Sequence, residues 1–186
     1  MFLKDYYIYR VLILSFAMLS AITGLLLFSQ NAGATPDVTL EGLDGKQHKL
    51  SEYIGHGKWT VVNIWGPKCP PCREEIPELV LFQDTHKDKD ASILGIAIDF
   101  PSYQYAKKEE VAAFVEDNLV DFPILLSDSS ITERIGAGRL EGLPSTYMFT
   151  PAGELVGYQV GSITREIIEN YIKRYESRQK ANENTK

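Results

Sequence analysis

The stretch Trp59-Thr60-Val61-Val62-Asn63-Ile64-Trp65-Gly66-Pro67-Lys68-Cys69-Pro70-Pro71-Cys72-Arg73-Glu74-Glu75-Ile76-Pro77-Glu78-Leu79-Val80-Leu81 changes period in its middle. Val61, Val62, Ile64 and Trp65 form an apolar run that predicts a strand buried on both faces. Gly66 and Pro67 end it. From Pro70 onward Ile76, Leu79 and Val80 fall on one helical face. Cys69 therefore lies at or just before the first turn of a helix, at the C-terminal edge of a sheet.

Cys69 and Cys72 are the chain's two cysteines. The unpaired N–H groups and dipole of a helix N-terminus stabilise a thiolate, the form that attacks a disulfide. Cys72, one turn further in, is close enough to close a disulfide and is expected to be the more buried partner. Cys69 is thus the expected attacking group and Cys72 the resolving one. Prolines fit the first turn, where their missing N–H would be unpaired anyway. Pro70 nevertheless removes a donor that could have faced the Cys69 sulfur, which predicts weaker thiolate stabilisation. Lys68 and Arg73 push the thiol pKa down, while Glu74 and Glu75 push it up. Other readings of the pair are a structural disulfide, two inert buried thiols, or zinc. Zinc would recruit His48, His56 or His86, none at metal-ligand spacing, so no metal site is expected. A Cu(I)-carrying metallochaperone would suit two soft thiolates but lacks a matching His or Met near the pair.

The run from Asn63 to Pro77 resembles the active-site stretch of the thioredoxin-like reductases of the bacterial envelope, the TlpA/ResA group, and the resemblance extends from about Asp37 to Tyr175. It implies an α/β, thioredoxin-like fold: a central mixed β-sheet flanked by helices, here with an N-terminal β-hairpin extension. It also implies a protein thiol–disulfide oxidoreductase without a cofactor, with Pro144 as the cis-proline facing the disulfide. Pro77 matches the proline that kinks the active-site helix, and Glu75 the acidic residue that tunes the cysteines in some members. Candidate catalytic residues are Cys69, Cys72 and Glu75; candidate substrate-binding residues are Leu143, Pro144 and Trp65. The resemblance favours a reductase acting on disulfides of exported proteins, apocytochromes c among them, with a membrane thiol carrier as electron donor. A disulfide-introducing oxidase on the same fold is the alternative, since only redox poise separates the two. A peroxidase would want Thr three residues before its nucleophile, where this chain has Gly66. Lys68 stands where most members carry Trp, and Asn63, usual in this group, stands where cytoplasmic thioredoxins carry a buried Asp.

The 186 residues fit one domain plus an N-terminal appendage, and 44% apolar with 24% charged residues is ordinary for a globular chain. Net charge is −6 and no Lys/Arg cluster or stripe appears, so nucleic-acid binding has no support. Residues 1–34 read as a membrane anchor or signal peptide. Lys4 and Arg10 precede the uncharged, mostly apolar Val11 to Phe28, about the lower limit for a span. Ala32-Gly33-Ala34 offers a cleavage site after Ala34 as the alternative. Either reading puts residues 35–178, the expected thioredoxin-like domain, outside the cytoplasm, on the membrane or released into the periplasm.

Along that domain, Val38 to Leu50 reads as a hairpin about Asp44-Gly45. Ser92 to Ile98 is a second buried strand, parallel to the first, ended by Asp99-Phe100-Pro101. Tyr103 and Tyr105 sit in the following loop and could line a groove. Lys107 to Leu119 is amphipathic, with Val111, Phe114, Val115 and Leu119 on its packing face. Phe122 to Leu126 is a strand, and Ser127 to Ser130 cap a short helix from Ile131. Thr146 to Thr150 and Glu154 to Val160 make a second hairpin. Ile163, Ile167, Ile168, Tyr171, Ile172 and Tyr175 face inward from a closing helix capped by Ser162 or Thr164. The chain is expected to fray from Glu176, leaving 179–186 as a polar tail. The three histidines are expected to be solvent-exposed and without a role.

Overall fold

The computed structural model describes residues 37–98 and 107–185. The anchor or signal segment and the loop bearing Tyr103 and Tyr105 lie outside the described residues, as does the strand end at Asp99. Among the described residues no helix is long and apolar enough to cross a membrane.

Seven strands form one mixed sheet: β1 (Thr39–Gly42), β2 (Gln47–Lys49), β3 (Trp59–Trp65), β4 (Ala91–Ile98), β5 (Ile124–Ser127), β6 (Ser145–Phe149) and β7 (Leu155–Val160). Their spatial order is β2-β1-β5-β4-β3-β6-β7. β3 and β4 are parallel, as are β4 and β5, while β6 runs antiparallel to β3 and β7 to β6. The expected central strands are confirmed, and every residue of β3 is buried. The N-terminal hairpin is seated as an extension, with β1 antiparallel to β5.

Alternation along β3 explains how the helices are placed. Trp59, Val61, Asn63 and Trp65 share one face of the strand. Trp59 meets Tyr171 and Tyr175 of α4 (Arg165–Glu183) edge-on, at 6.4 and 5.2 Å. Asn63 meets α1 (Pro70–His86), and Trp65 lies 5.1 Å from Phe114 of α2 (Lys108–Asp117). Three helices thus cover one face of the strand that leads into the cysteines. A short α3 (Ile131–Arg134) follows β5. Gly95, the register partner of Asn63, makes room for the Trp65 indole: a Cβ there would stand 3.2 Å from Trp65 Nε1 and 2.4 Å from Ile124 Cδ1.

Several expectations are corrected. α2 ends at Asp117, and Leu119, expected on its packing face, is 81% exposed at φ 52°. The Val120 N–H donates to the Val115 carbonyl and the Leu119 N–H to that of Glu116, a left-handed cap that turns Leu119 outward. α4 does not fray at Glu176: the Trp59 indole N–H donates to Glu176 Oε1, and the helix runs to Glu183. Thr164, not Ser162, caps it, accepting from the Ile167 N–H. His48 and His86 are half-buried and partnered. His48 bonds Asp44, Glu52 and the Tyr53 hydroxyl; His86 stacks on Phe82 and bonds Asp90 and Glu169. Only His56 is exposed.

A leucine in the left-handed region carries a backbone penalty of about 1 kcal/mol that glycine escapes. Leu119→Gly should therefore raise the free energy of unfolding by roughly 0.5–1 kcal/mol in urea titrations. A loss of stability would mean that the exposed Leu119 side chain packs in the folded state.

Candidate active site

The turn after β3 delivers Cys69 to the head of α1. The Cys69 N–H donates to the Gly66 carbonyl, and Cys69 is extended at φ −87°, ψ 110°, the conformation of a residue capping a helix. Pro70 and Pro71 carry no N–H. The first free donor of the helix is then the N–H of Cys72, and it points at Cys69 Sγ, 3.3 Å away. Cys69 and Cys72 are joined as a disulfide with their Cα atoms 5.3 Å apart. Both residues are fully buried, so the expected contrast in burial between them is absent in this oxidised state.

The two cations beside the pair are engaged toward α2. Lys68 Nζ lies 3.0 Å from Glu110 Oε2. The Arg73 guanidinium sits 5.2 Å above the Phe114 ring and donates from Nη1 to the Pro67 carbonyl at 3.2 Å. These residues line an open cleft of about 500 Å³ between α1 and α2. Backbone donation from Lys107, helped by Lys68, holds the Glu110 carboxyl below its ordinary range.

Glu75, on α1 one turn beyond Cys72, is 2% exposed. Its Oε1 accepts from Asn63 Nδ2 at 2.8 Å, and its Oε2 from the Ile163 N–H at 2.8 Å. Burial pushes its pKa up to about 7 against the pull of those two donors. Asn63 Nδ2 also donates to Thr146 Oγ1 at 3.1 Å, across the β3–β6 register pair. The adjoining segments close the same circuit. The Leu143–Pro144 peptide is cis, the Gly161 N–H donates to the Pro144 carbonyl, and Ser162 Oγ donates to the Pro71 carbonyl. The start of α1, the cis-proline segment and the entry to α4 are thereby tied together.

Trp65 does not join this surface. It is fully buried, its Nε1 has no partner among the described residues, and its ring faces Phe114 over Gly95. Its side chain has no exposed area in this oxidised state. Leu143 and Pro144 are also largely buried, Leu143 at 7% exposure. Sequence reasoning does not find Asn63 as the partner of Glu75, nor Thr146 as the second partner of Asn63. A lone amide in an apolar strand is the available signal, since a buried polar side chain needs a hydrogen-bond partner. Among the described residues no group of three or more His, Cys, Asp or Glu is placed to hold a metal ion.

A Cys-X-X-Cys disulfide at the head of a helix that packs on a central mixed sheet defines a thioredoxin-like thiol–disulfide oxidoreductase. The chain belongs to the AhpC/TSA family, whose model matches residues 32–157. It is 30% identical over 138 residues to the thiol-disulfide oxidoreductase ResA of Geobacillus kaustophilus, covering 74% of each chain. It is 29% identical over 140 residues to the thioredoxin-like protein YneN of Bacillus subtilis, covering 75% of this chain and 77% of that one. Among solved structures, a thiol:disulfide interchange protein from Chlorobium tepidum superimposes with a TM-score of 0.64 at 22% identity, over 75% of this chain and 93% of that one. StoA from Bacillus subtilis does so with a TM-score of 0.56 at 23% identity, over 75% and 98%. These place the fold among the thioredoxin-like proteins.

Because its folded pKa is raised, Glu75 supports the fold fully below its ordinary value of 4.5 and loses that support as pH rises through about 7. The full swing is on the order of 3 kcal/mol. Urea unfolding should show the parent losing stability from about pH 5 to about pH 8, and Glu75→Gln losing much less. Parallel curves would mean that Glu75 is not an acid with a raised pKa.

Proposed function

We propose that this thiol–disulfide oxidoreductase works as a reductase of disulfides in exported proteins, apocytochromes c among its candidate substrates. The observation that carries the reading is the Glu75 carboxyl, buried one turn behind the Cys69–Cys72 pair and bonded, among the described residues, only by the uncharged Asn63 amide and Ile163 N–H. In the reduced enzyme the Cys69 thiolate attacks a substrate disulfide, forming a mixed disulfide and releasing one substrate thiolate. Cys72 passes its thiol proton to the Glu75 carboxylate, and the resulting thiolate attacks Cys69 Sγ. The second substrate sulfur leaves and takes up a proton. Two electrons pass to the substrate, and Cys69 and Cys72 are left as the disulfide. A membrane thiol carrier then returns the pair to the dithiol.

Leu143 and Pro144 are the proposed substrate-binding backbone, pairing briefly with an extended peptide as an added strand does. The N-terminal residues 1–34 are proposed to hold the domain at the outer side of the cytoplasmic membrane, with cleavage after Ala34 as the alternative. Residues 35–178 are then the working domain and 179–186 its polar end.

Direction is tested by the reduction potential of the pair in the full chain, equilibrated with glutathione. A value near about −270 mV is expected for a reductase; one near about −120 mV would mark an oxidant and reverse the proposed direction. The order of attack is tested by Cys72→Ser, which should accumulate substrate adducts that reducing agents release. Adducts that form equally well with Cys69→Ser would show that Cys69 is not the attacking residue.

A further inference from the structure

Asn63 is fully buried in β3 among Val62, Ile64 and Trp65. One end of its side-chain amide meets two groups, Glu75 Oε1 at 2.8 Å and Thr146 Oγ1 at 3.1 Å. The other end, Oδ1, is buried with no partner among the described residues. An amide has nearly the same shape either way round and differs only in polarity. The far end leaves one acceptor unmet in this orientation and two donors in the other, a cost against which Glu75 and Thr146 must decide the orientation.

Glu75 demands opposite partners in its two protonation states. As a carboxylate it only accepts; as an acid it must donate from one oxygen. Oε2 is occupied by the Ile163 N–H, so the proton belongs on Oε1, the oxygen facing Asn63. Protonation with the amide unturned would need Oε1–H aimed away from Asn63, with Nδ2–H left on a neutral and weaker acceptor. The Thr146 hydroxyl serves either arrangement, accepting from Nδ2 or donating to Oδ1. The groups bonded to the Glu75 carboxyl, Asn63 from β3 and the Ile163 N–H before α4, are uncharged, as is Thr146 from β6. Burial rather than a neighbouring ion lifts its pKa.

We propose that Asn63 is a positioning residue whose side-chain amide turns over with the proton on Glu75, presenting Nδ2 to the carboxylate and Oδ1 to the acid. The number of hydrogen bonds is the same in both states. With the acid, Oδ1 accepts from Glu75 Oε1–H and from the Thr146 hydroxyl; with the carboxylate, Nδ2 donates to both. Neither form of Glu75 is stranded, so the carboxyl can take up the Cys72 proton and release it again. The proposal rests on the reading of Glu75 as proton acceptor for Cys72. An aspartate at position 63 could not do this: two adjacent carboxylates would share one proton.

The test is NMR of the oxidised, labelled full chain from about pH 5 to about pH 9, reading the Glu75 carboxyl carbon and the Asn63 side-chain amide together. Above the Glu75 midpoint, Overhauser contacts should connect the Asn63 amide protons with the Thr146 methyl and the Glu75 side chain. Below the midpoint those contacts should vanish. Asn63→Asp should move the pH profile of disulfide exchange upward by about one unit, tenfold in proton concentration. That shift follows from charge alone, so the turnover itself is read from the Overhauser contacts, which a purely structural Asn63 would keep unchanged across the Glu75 midpoint. Amide contacts unchanged while Glu75 titrates would overturn the turnover of Asn63 and leave the Glu75 reading standing, whereas an Asn63→Asp profile that superimposes on the parent's would overturn the Glu75 reading. A Glu75 carbon with no midpoint in that range would overturn both.

Discussion

A carboxyl group held out of water is the constraint around which this fold closes. Ionised Glu75 inside the protein is unfavourable unless donors meet it, and the chain supplies those donors from two distant segments. Asn63 comes from the central strand and the Ile163 N–H from the entry to α4. Each lies far from Glu75 in sequence, so satisfying one side chain fixes how α1 sits on β3 and where α4 begins. Thr146, bonded to the same amide, extends the tie to the strand that follows the cis-proline. The geometry around the cysteines therefore follows from satisfying a buried carboxyl, not from the two sulfurs alone.

The charged collar is organised by a different rule. Lys68 and Arg73 flank the disulfide in sequence, which suggests electrostatic stabilisation of a thiolate. In the folded chain Lys68 pairs with Glu110, and Arg73 lies over Phe114 and bonds the Pro67 carbonyl. Both side chains brace α2 against the head of α1, and the Lys68 charge is partly offset by its partner. The donor aimed at the Cys69 sulfur is a neutral peptide N–H. Local chemistry at the sulfur is set by backbone and the buried acid more than by the surface cations.

Much of the fold was legible because its signals are local. β3 and β4 announce themselves as short unbroken apolar runs, α1 by a change to helical period, and the two hairpins by Asp44-Gly45 and Pro151-Ala152-Gly153. The Cys-X-X-Cys pair was legible for the same reason, its spacing along one helix, whereas Glu75 was marked out by the family resemblance. What escaped depends on long-range register. The link between Asn63 and Thr146 exists only once β3 and β6 are aligned, and the bond from Trp59 to Glu176 only once α4 lies against β3. Leu119 continues the apolar period of α2, but cap hydrogen bonds end that helix first, and no glycine marks the stop. Trp65 sits beside the cysteines in sequence, yet its ring turns back over Gly95 and into the core.

The two prolines bear on the direction of electron flow. A dithiol is a strong oxidant when its reduced form is stabilised, and the chief stabiliser of an N-terminal thiolate is the set of free N–H groups in the first helical turn. Pro70 and Pro71 remove two of them, leaving the Cys72 N–H at 3.3 Å as the donor described at the sulfur. The buried Glu75 adds no positive charge to compensate; when ionised it disfavours a second anion nearby. Both effects work against the thiolate and so toward a lower potential, the poise a reductase requires. The same carboxyl that disfavours the thiolate can accept the Cys72 proton. A site of this kind therefore gains reducing power and a proton acceptor from a single buried group, provided its neighbours can accommodate that group both with and without its proton.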